Sequence, residues 1–134
     1  MSGSQEFRVR ILGESDVAVA VMQAQRYSRS VGFNEAGCCR IATAVSELAR
    51  NILKYADSGE IVFRPQLNPR HKGIEISALD NGPGIADLEL ALTDRYSTGK
   101  TLGLGLPGVR RLMDDFDVQT APGQGTRVTI RKWL

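Results

Sequence analysis

From Ile76 to Leu79 the chain reads as a strand, and it stops on a carboxylate: Asp80-Asn81-Gly82-Pro83-Gly84 follows at once. Two glycines there permit backbone torsions that a side chain would forbid. The stretch therefore either makes a tight turn or sets a carboxylate beside a small ligand. Taken alone it favours the turn. Any fold open to this chain must end a strand at Asp80, and the other segments decide what that turn is for.

The residues before it alternate between two layers. Residues 7–12 alternate apolar and charged, as a half-exposed strand does. Ser15 or Asp16 can cap the next segment, where Val17, Val21, Ala24 and Ser28 recur at helical spacing up to Gly32. Asn34 caps a stronger helix running to about Tyr55, with the apolar stripe Ile41, Val45, Leu48 and Ile52. Residues 60–67 and 74–79 read as strands joined by a polar loop that holds the one histidine, His71, expected at the surface. Residues 85–102 are poorly periodic, with one helical turn expected at 87–92; so long an unpatterned stretch suits a lid or binding loop. After the glycine-rich 103–108 a helix is expected, with Val109, Leu112, Met113 and Phe116 as its buried face. Strands at 118–120 and 126–133 flank a turn at 122–125. The pattern predicts one domain over residues 1–134, an α/β two-layer sandwich. Its sheet would be mixed but mostly antiparallel, with helices packed on one face.

Composition narrows the function classes. A formal net charge of +2, with no dense Lys/Arg cluster, argues against a nucleic-acid partner. The longest apolar stretches fall far short of a membrane span, and residues 1–5 carry no export signal, so a cytoplasmic protein is expected. The two cysteines, Cys38 and Cys39, are adjacent and cannot staple distant segments; both are expected as buried thiols.

Two places could carry chemistry. Glu47 and Asn51 lie four apart on the second expected helix, so they point from one side at the edge of its apolar stripe. The pair is either a solvated glutamate with an asparagine bonded to it, or a carboxylate and an amide oxygen at the rim of a cleft. In the second case Asn51 offers Mg²⁺ a neutral oxygen and Glu47 can take a proton. Further on, Gly103-Leu104-Gly105-Leu106-Pro107-Gly108 opens a helix, where backbone N–H groups make a ready anion site. The G-x-G-x-x-G spelling is no dinucleotide fingerprint, since no strand leads into it and no acid stands about twenty residues on. Gly99-Lys100-Thr101 is no P-loop end either, because Asp94 occupies the place of that motif's first glycine.

In order, then, come Glu47/Asn51, Asp80-x-Gly82-x-Gly84, Gly103-x-Gly105 and Gly125-Thr126. This order resembles the N box, the glycine boxes and the terminal Gly-Thr of the GHKL ATPase/kinase superfamily, whose ATP site is the Bergerat fold. Residues 41–52 and 105–114 resemble one branch more closely. That branch is the bacterial stressosome switch serine/threonine-protein kinases (RsbT-type), relatives of the anti-sigma-factor kinases. The resemblance implies that Asp80 accepts a hydrogen bond from the adenine amine, and that Gly82 and Gly84 let the chain pass close to the base. It implies that Asn51 holds Mg²⁺, that Gly103 and Gly105 hinge the lid and offer N–H groups to the phosphates of ATP, and that Thr126 supports the adenine end. Lys100, in the lid, could reach the terminal phosphates or stand exposed. Glu47 would be the general base: a hydroxyl acceptor benefits from one, whereas a histidine acceptor is already neutral at pH 7. The implied partners are a STAS-domain scaffold or antagonist as substrate and a PP2C-type phosphatase activated by binding. The rival reading is an anti-sigma-like binding module that uses ATP only to set its shape.

Overall fold

The computed structural model describes residues 5–67, 70–85 and 105–134. The helical turn expected at 87–92, Lys100 and Gly103 lie outside the described residues. Among the described residues eight elements follow one another: β1 (Phe7–Ile11), α1 (Glu14–Val31), α2 (Glu35–Ala56), β2 (Gly59–Leu67), β3 (Lys72–Asp80), α3 (Gly105–Leu112), β4 (Asp115–Thr120) and β5 (Thr126–Trp133). The strands form one five-stranded sheet in the order β1-β2-β3-β5-β4. Every pairing is antiparallel, as expected for most of the sheet.

α2 runs as its stripe requires. Asn34 accepts the Gly37 N–H at 2.8 Å, which satisfies one of the donors a helix start leaves open. Ile41, Val45, Leu48 and Ile52 are all buried. Truncating a fully buried leucine such as Leu48 to alanine would cost about 2–5 kcal/mol. α1 begins differently from expectation. Its N-cap is Gly13, and Asp16, three residues in, reaches back to accept the N–H groups of Leu12 at 2.8 Å and Gly13 at 3.1 Å. The acid is the reciprocal half of a capping box and not the cap itself.

Cross-strand register sorts the two sheet faces. Val9, Ile61, Ala78 and Val128 stand opposite one another in successive strands, as do Phe63, Ile76 and Ile130. These residues join the α1, α2 and α3 side chains in a single core. The other face carries Arg8, Arg10, Glu60, Arg64, Glu75, Arg127 and Arg131. The same alternation puts Asp80 on the core face at the end of β3, directly opposite Thr126 of β5 and Gly59 of β2.

Three expectations need correction. The last helix starts at Gly105, so part of the glycine-rich stretch is its first turn; Leu106, Pro107 and Gly108 are buried there, and proline suits a helix start because its missing N–H has no helical partner. That helix ends at Leu112. Phe116 belongs to β4, which begins at Asp115, three residues earlier than expected. Cys38 is buried, but Cys39 is exposed on the outer side of α2, because neighbours on a helix sit about 100° apart.

Candidate functional site

α2 is the floor along which the motif residues are strung. Glu47, Asn51 and Tyr55 follow at four-residue steps, about 6 Å apart along the axis. At the far step, the turn after β3 lies against the helix end. A side chain at Gly82 would put its Cβ 2.6 Å from Ala56 Cβ and 3.0 Å from the Tyr55 carbonyl oxygen. Only hydrogen fits there.

The turn itself is held at three points. Gly82 N–H donates to Asp80 Oδ1 at 2.9 Å, Gly123 N–H to the Pro83 carbonyl at 2.6 Å, and Ile85 N–H to Thr120 Oγ1 at 2.8 Å. Gly84 has φ +81°, and a Cβ on it would stand 2.1 Å from the Ala121 carbonyl oxygen. Gly125 has φ +77°, and its Cβ would meet the Asp80 carbonyl oxygen at 2.2 Å. The glycines thus let the β3 end, the β4–β5 turn and the end of α2 pack backbone to backbone. Packing of the protein against itself already requires them, before any ligand is considered.

Two acceptors remain at this end. Asp80 is half-buried and uses Oδ1 on its own turn, leaving Oδ2 without a partner among the described residues. Thr120 Oγ1 gives its single proton to the Gly125 carbonyl at 3.0 Å. The 3.0 Å contact between the two threonine hydroxyls must therefore be donated by Thr126, whose oxygen keeps its lone pairs open. Thr120 was not foreseen. Nothing in the local sequence marks it; it matters because register sets it opposite Thr126.

Midway along α2, Gly105 N–H donates to Glu47 Oε2 at 3.2 Å, so a carboxylate caps the positive end of α3. Gly105 has φ +66°, a left-handed torsion that favours glycine. Glu47 is half-buried, and its Oε1 has no partner among the described residues. Its side chain also borders a groove of about 610 Å³ between α1 and α2, lined by Val17, Val21, Met22, Ala42 and Thr43 among others. Asn51, half-buried between the two ends, carries a side-chain amide with no hydrogen-bond partner among the described residues.

The donor set bears on the expected ligands. Among the described residues no cluster of three or more His, Cys, Asp or Glu could hold a metal. Mg²⁺ keeps several waters and takes phosphate oxygens, so one amide oxygen such as Asn51 Oδ1 suits it where a full protein cage is missing. The unpartnered Asp80 Oδ2, the half-buried amide of Asn51 and the α3 N-terminus fit a nucleotide in extended form, base at one end and phosphates at the other. His71 stands exposed, as expected, with its ring 6.0 Å from that of Trp133.

An arrangement of this kind, on a sheet backed by helices on one side, defines a class. Residues 39–134 match the family of histidine kinase-, DNA gyrase B- and HSP90-like ATPases, and the chain belongs to that family. Serine/threonine-protein kinase RsbT of Bacillus subtilis (strain 168) is 43% identical over 126 residues, 94% of this chain and 95% of its own length. The anti-sigma F factor of Caldanaerobacter subterraneus subsp. tengcongensis is 31% identical over 98 residues, 70% of this chain and 68% of its own. Among solved structures, the mycobacterial sensor histidine kinase MprB superposes with a TM-score of 0.56 at 20% identity, over 96% of this chain and 97% of that one. The SiaB–SiaC complex from Pseudomonas aeruginosa gives a TM-score of 0.56 at 11% identity, over 96% and 89%. Both share the fold. No described helix is long and apolar enough to cross a membrane.

Proposed function

We propose that this chain is a protein serine/threonine kinase that transfers the terminal phosphate of ATP to a hydroxyl on a separate protein, in a cytoplasmic partner-switching pathway. The observation that carries the reading is the placing of Glu47: its carboxylate sits at the N-terminus of α3, beside an open groove and one helical turn from Asn51, whose amide has no partner among the described residues. ATP would supply the phosphoryl group, and Mg²⁺ would neutralise phosphate charge as it builds.

At the adenine end, Asp80 Oδ2 and Thr126 Oγ1 are both acceptors facing from opposed positions on paired strands. Two acceptors match the two N–H bonds of an exocyclic amine and repel a carbonyl, so adenine is accepted and guanine refused. Asn51 Oδ1 would hold the metal. The α3 N-terminus, with the lid residues Lys100 and Gly103, would receive the phosphates. Glu47 Oε2 is committed to Gly105, so Oε1 is the atom that takes the proton from the acceptor hydroxyl. The α1–α2 groove offers that hydroxyl a path to it.

The resemblance to stressosome switch kinases supports a STAS-domain protein as substrate and a PP2C-type phosphatase as the second partner, bound once the first is phosphorylated. Added negative charge can break an interface by repulsion and desolvation. The test is incubation with labelled ATP-Mg²⁺ and STAS-domain proteins from the same genome, followed by mapping of the label. Label on serine or threonine, lost with Glu47→Gln, is the expected result; label on histidine, or none with ATP bound, would sink the proposal. The anti-sigma F factor relatives favour a second reading, a module that binds ATP only to set its shape. Tight ATP binding without transfer to any such partner would select it.

A further inference from the structure

The sheet face turned away from the helices is charged, yet its two ends are treated differently. At one end the charges are mutually satisfied: Glu6 pairs with Arg64 at 3.0 Å, and Glu75 with Arg131 at 2.9 Å and Arg64 at 3.8 Å. At the other end a row crosses the sheet through Arg10, Glu60, Leu79, Arg127 and Gln119, each opposite the next. Glu60 is taken by Arg8 at 2.8 Å. Arg10 and Arg127 are exposed and make no hydrogen bond or ion pair with any described residue. They border a cleft of about 850 Å³ that has Gln119 and Gln124 beside them and reaches round the strand ends to Asp80, Thr120 and Thr126.

We infer that the row along this rim of the cleft is a docking surface for an extended acidic segment of a partner protein, gripped by Arg10 and Arg127. Two strands lie between the arginines, so their attachment points are about 14 Å apart at ordinary strand spacing. An extended chain rises about 3.3 Å per residue, and residues four apart share a face and span about 13 Å. Acids at such spacing would meet one guanidinium each, in the forked geometry that arginine offers a carboxylate. Amide side chains along the cleft can bond the backbone of the same segment. The neighbouring ion pairs leave no other cation of this row in competition. The two arginines themselves lie on the side of the sheet away from the helices, whereas Asp80 and Thr126 face the other side, so the grip does not rest on the nucleotide reading.

The experiment is a nuclear magnetic resonance titration of the whole chain with a short Gly/Ser peptide carrying glutamates four residues apart. Saturable shifts at Arg10, Leu79, Gln119 and Arg127 are expected. They should be absent with the glutamine version of the peptide and weaken as salt rises. R10E/R127E should weaken binding by roughly tenfold or more and bind the lysine version of the peptide instead. Because both side chains are exposed, that variant should keep the dispersed spectrum of the parent. The inference is overturned by the absence of saturable shifts, or by shifts centred on helix cations such as Arg26, Arg40 and Arg50. It is overturned equally by concentration-dependent shifts of the same row without peptide, which would make a second copy the occupant. An ATP titration of the same sample is read at Asn51 and Gly105, which do not line this cleft, so failure of the nucleotide reading would be seen apart from failure of this one.

Discussion

The two ends of the candidate site, one at the last turn of α2 and one at Glu47 in its middle, are held by different means. At the Asp80 end, three hydrogen bonds to backbone donors and three glycines that tolerate no side chain lock the turn against the helix and the β4–β5 turn. At the Glu47 end, one carboxylate holds the start of α3 through one N–H. The Asp80 end is thus held by the protein's own backbone packing. The Glu47 end relies on the one side chain to which the proposed reaction assigns a proton transfer. If the proposed function holds, nucleotide recognition would fail through backbone packing and phosphotransfer through a single carboxylate.

The largest effect is expected for Glu47→Gln. The amide oxygen still accepts the Gly105 N–H, but it cannot take a proton at neutral pH. Phosphotransfer should fall by roughly 10²–10⁴-fold in a single-turnover assay, while calorimetric ATP affinity stays within about threefold. Equal loss of both would make Glu47 a cap and nothing more. Gly84→Ala attacks the other end. The new methyl would collide with the Ala121 carbonyl at a torsion alanine avoids, so urea denaturation should show a loss of about 2–4 kcal/mol. A change under about 0.5 kcal/mol would mean the turn is less tightly built than its contacts imply.

Asp80→Asn sharpens the comparison, because it keeps the Gly82 bond and turns the free Oδ2 into a donor. ATP affinity should drop by about 2–3 kcal/mol, near 100-fold, with the melting temperature moved by only a few degrees. Unchanged affinity would remove Asp80 from the pocket. The smallest effect is expected for Thr120→Val, which removes the hydroxyl joining Ile85, Gly125 and Thr126. A loss of about 1–2 kcal/mol in stability should appear, with a modest weakening of ATP binding. If stability is unaffected, the clamp at Ile85 contributes little and the glycine packing alone holds the turn.

Much of this was legible in the chain. The stripe of α2, its Asn34 cap, the four-residue step from Glu47 to Asn51 and the glycines after Asp80 are local patterns, and local geometry converts them directly into placement. What could not be read followed from contacts between distant segments. The expected strand at 118–120 begins at Asp115 instead, because the sheet pairs Asp115 and Asp117 with Arg131 and Thr129 of β5. The spacing of Phe116 from Met113 fits a helix, and pairing with Ile130 overrides that spacing. Cys39 was expected inside, but the helix can bury only one of two neighbouring thiols, and Cys38 takes that place. Burial pushes the Cys38 thiol above its ordinary range.

By itself, then, the sequence determined which residues could act and in what order along the chain: Glu47, Asn51, Asp80, the glycines and Thr126. It determined the helix floor as well, because helical periodicity is a property of neighbours. Only the tertiary structure decided why Gly84 and Gly125 must be glycine, that Thr120 orients Thr126 as an acceptor, and that Glu47 rests on the start of α3. Only it, too, set Arg10 and Arg127 in one row across the bare face of the sheet. Each of these depends on cross-strand register or on packing between elements far apart in sequence, and neither is written in any local run of residues.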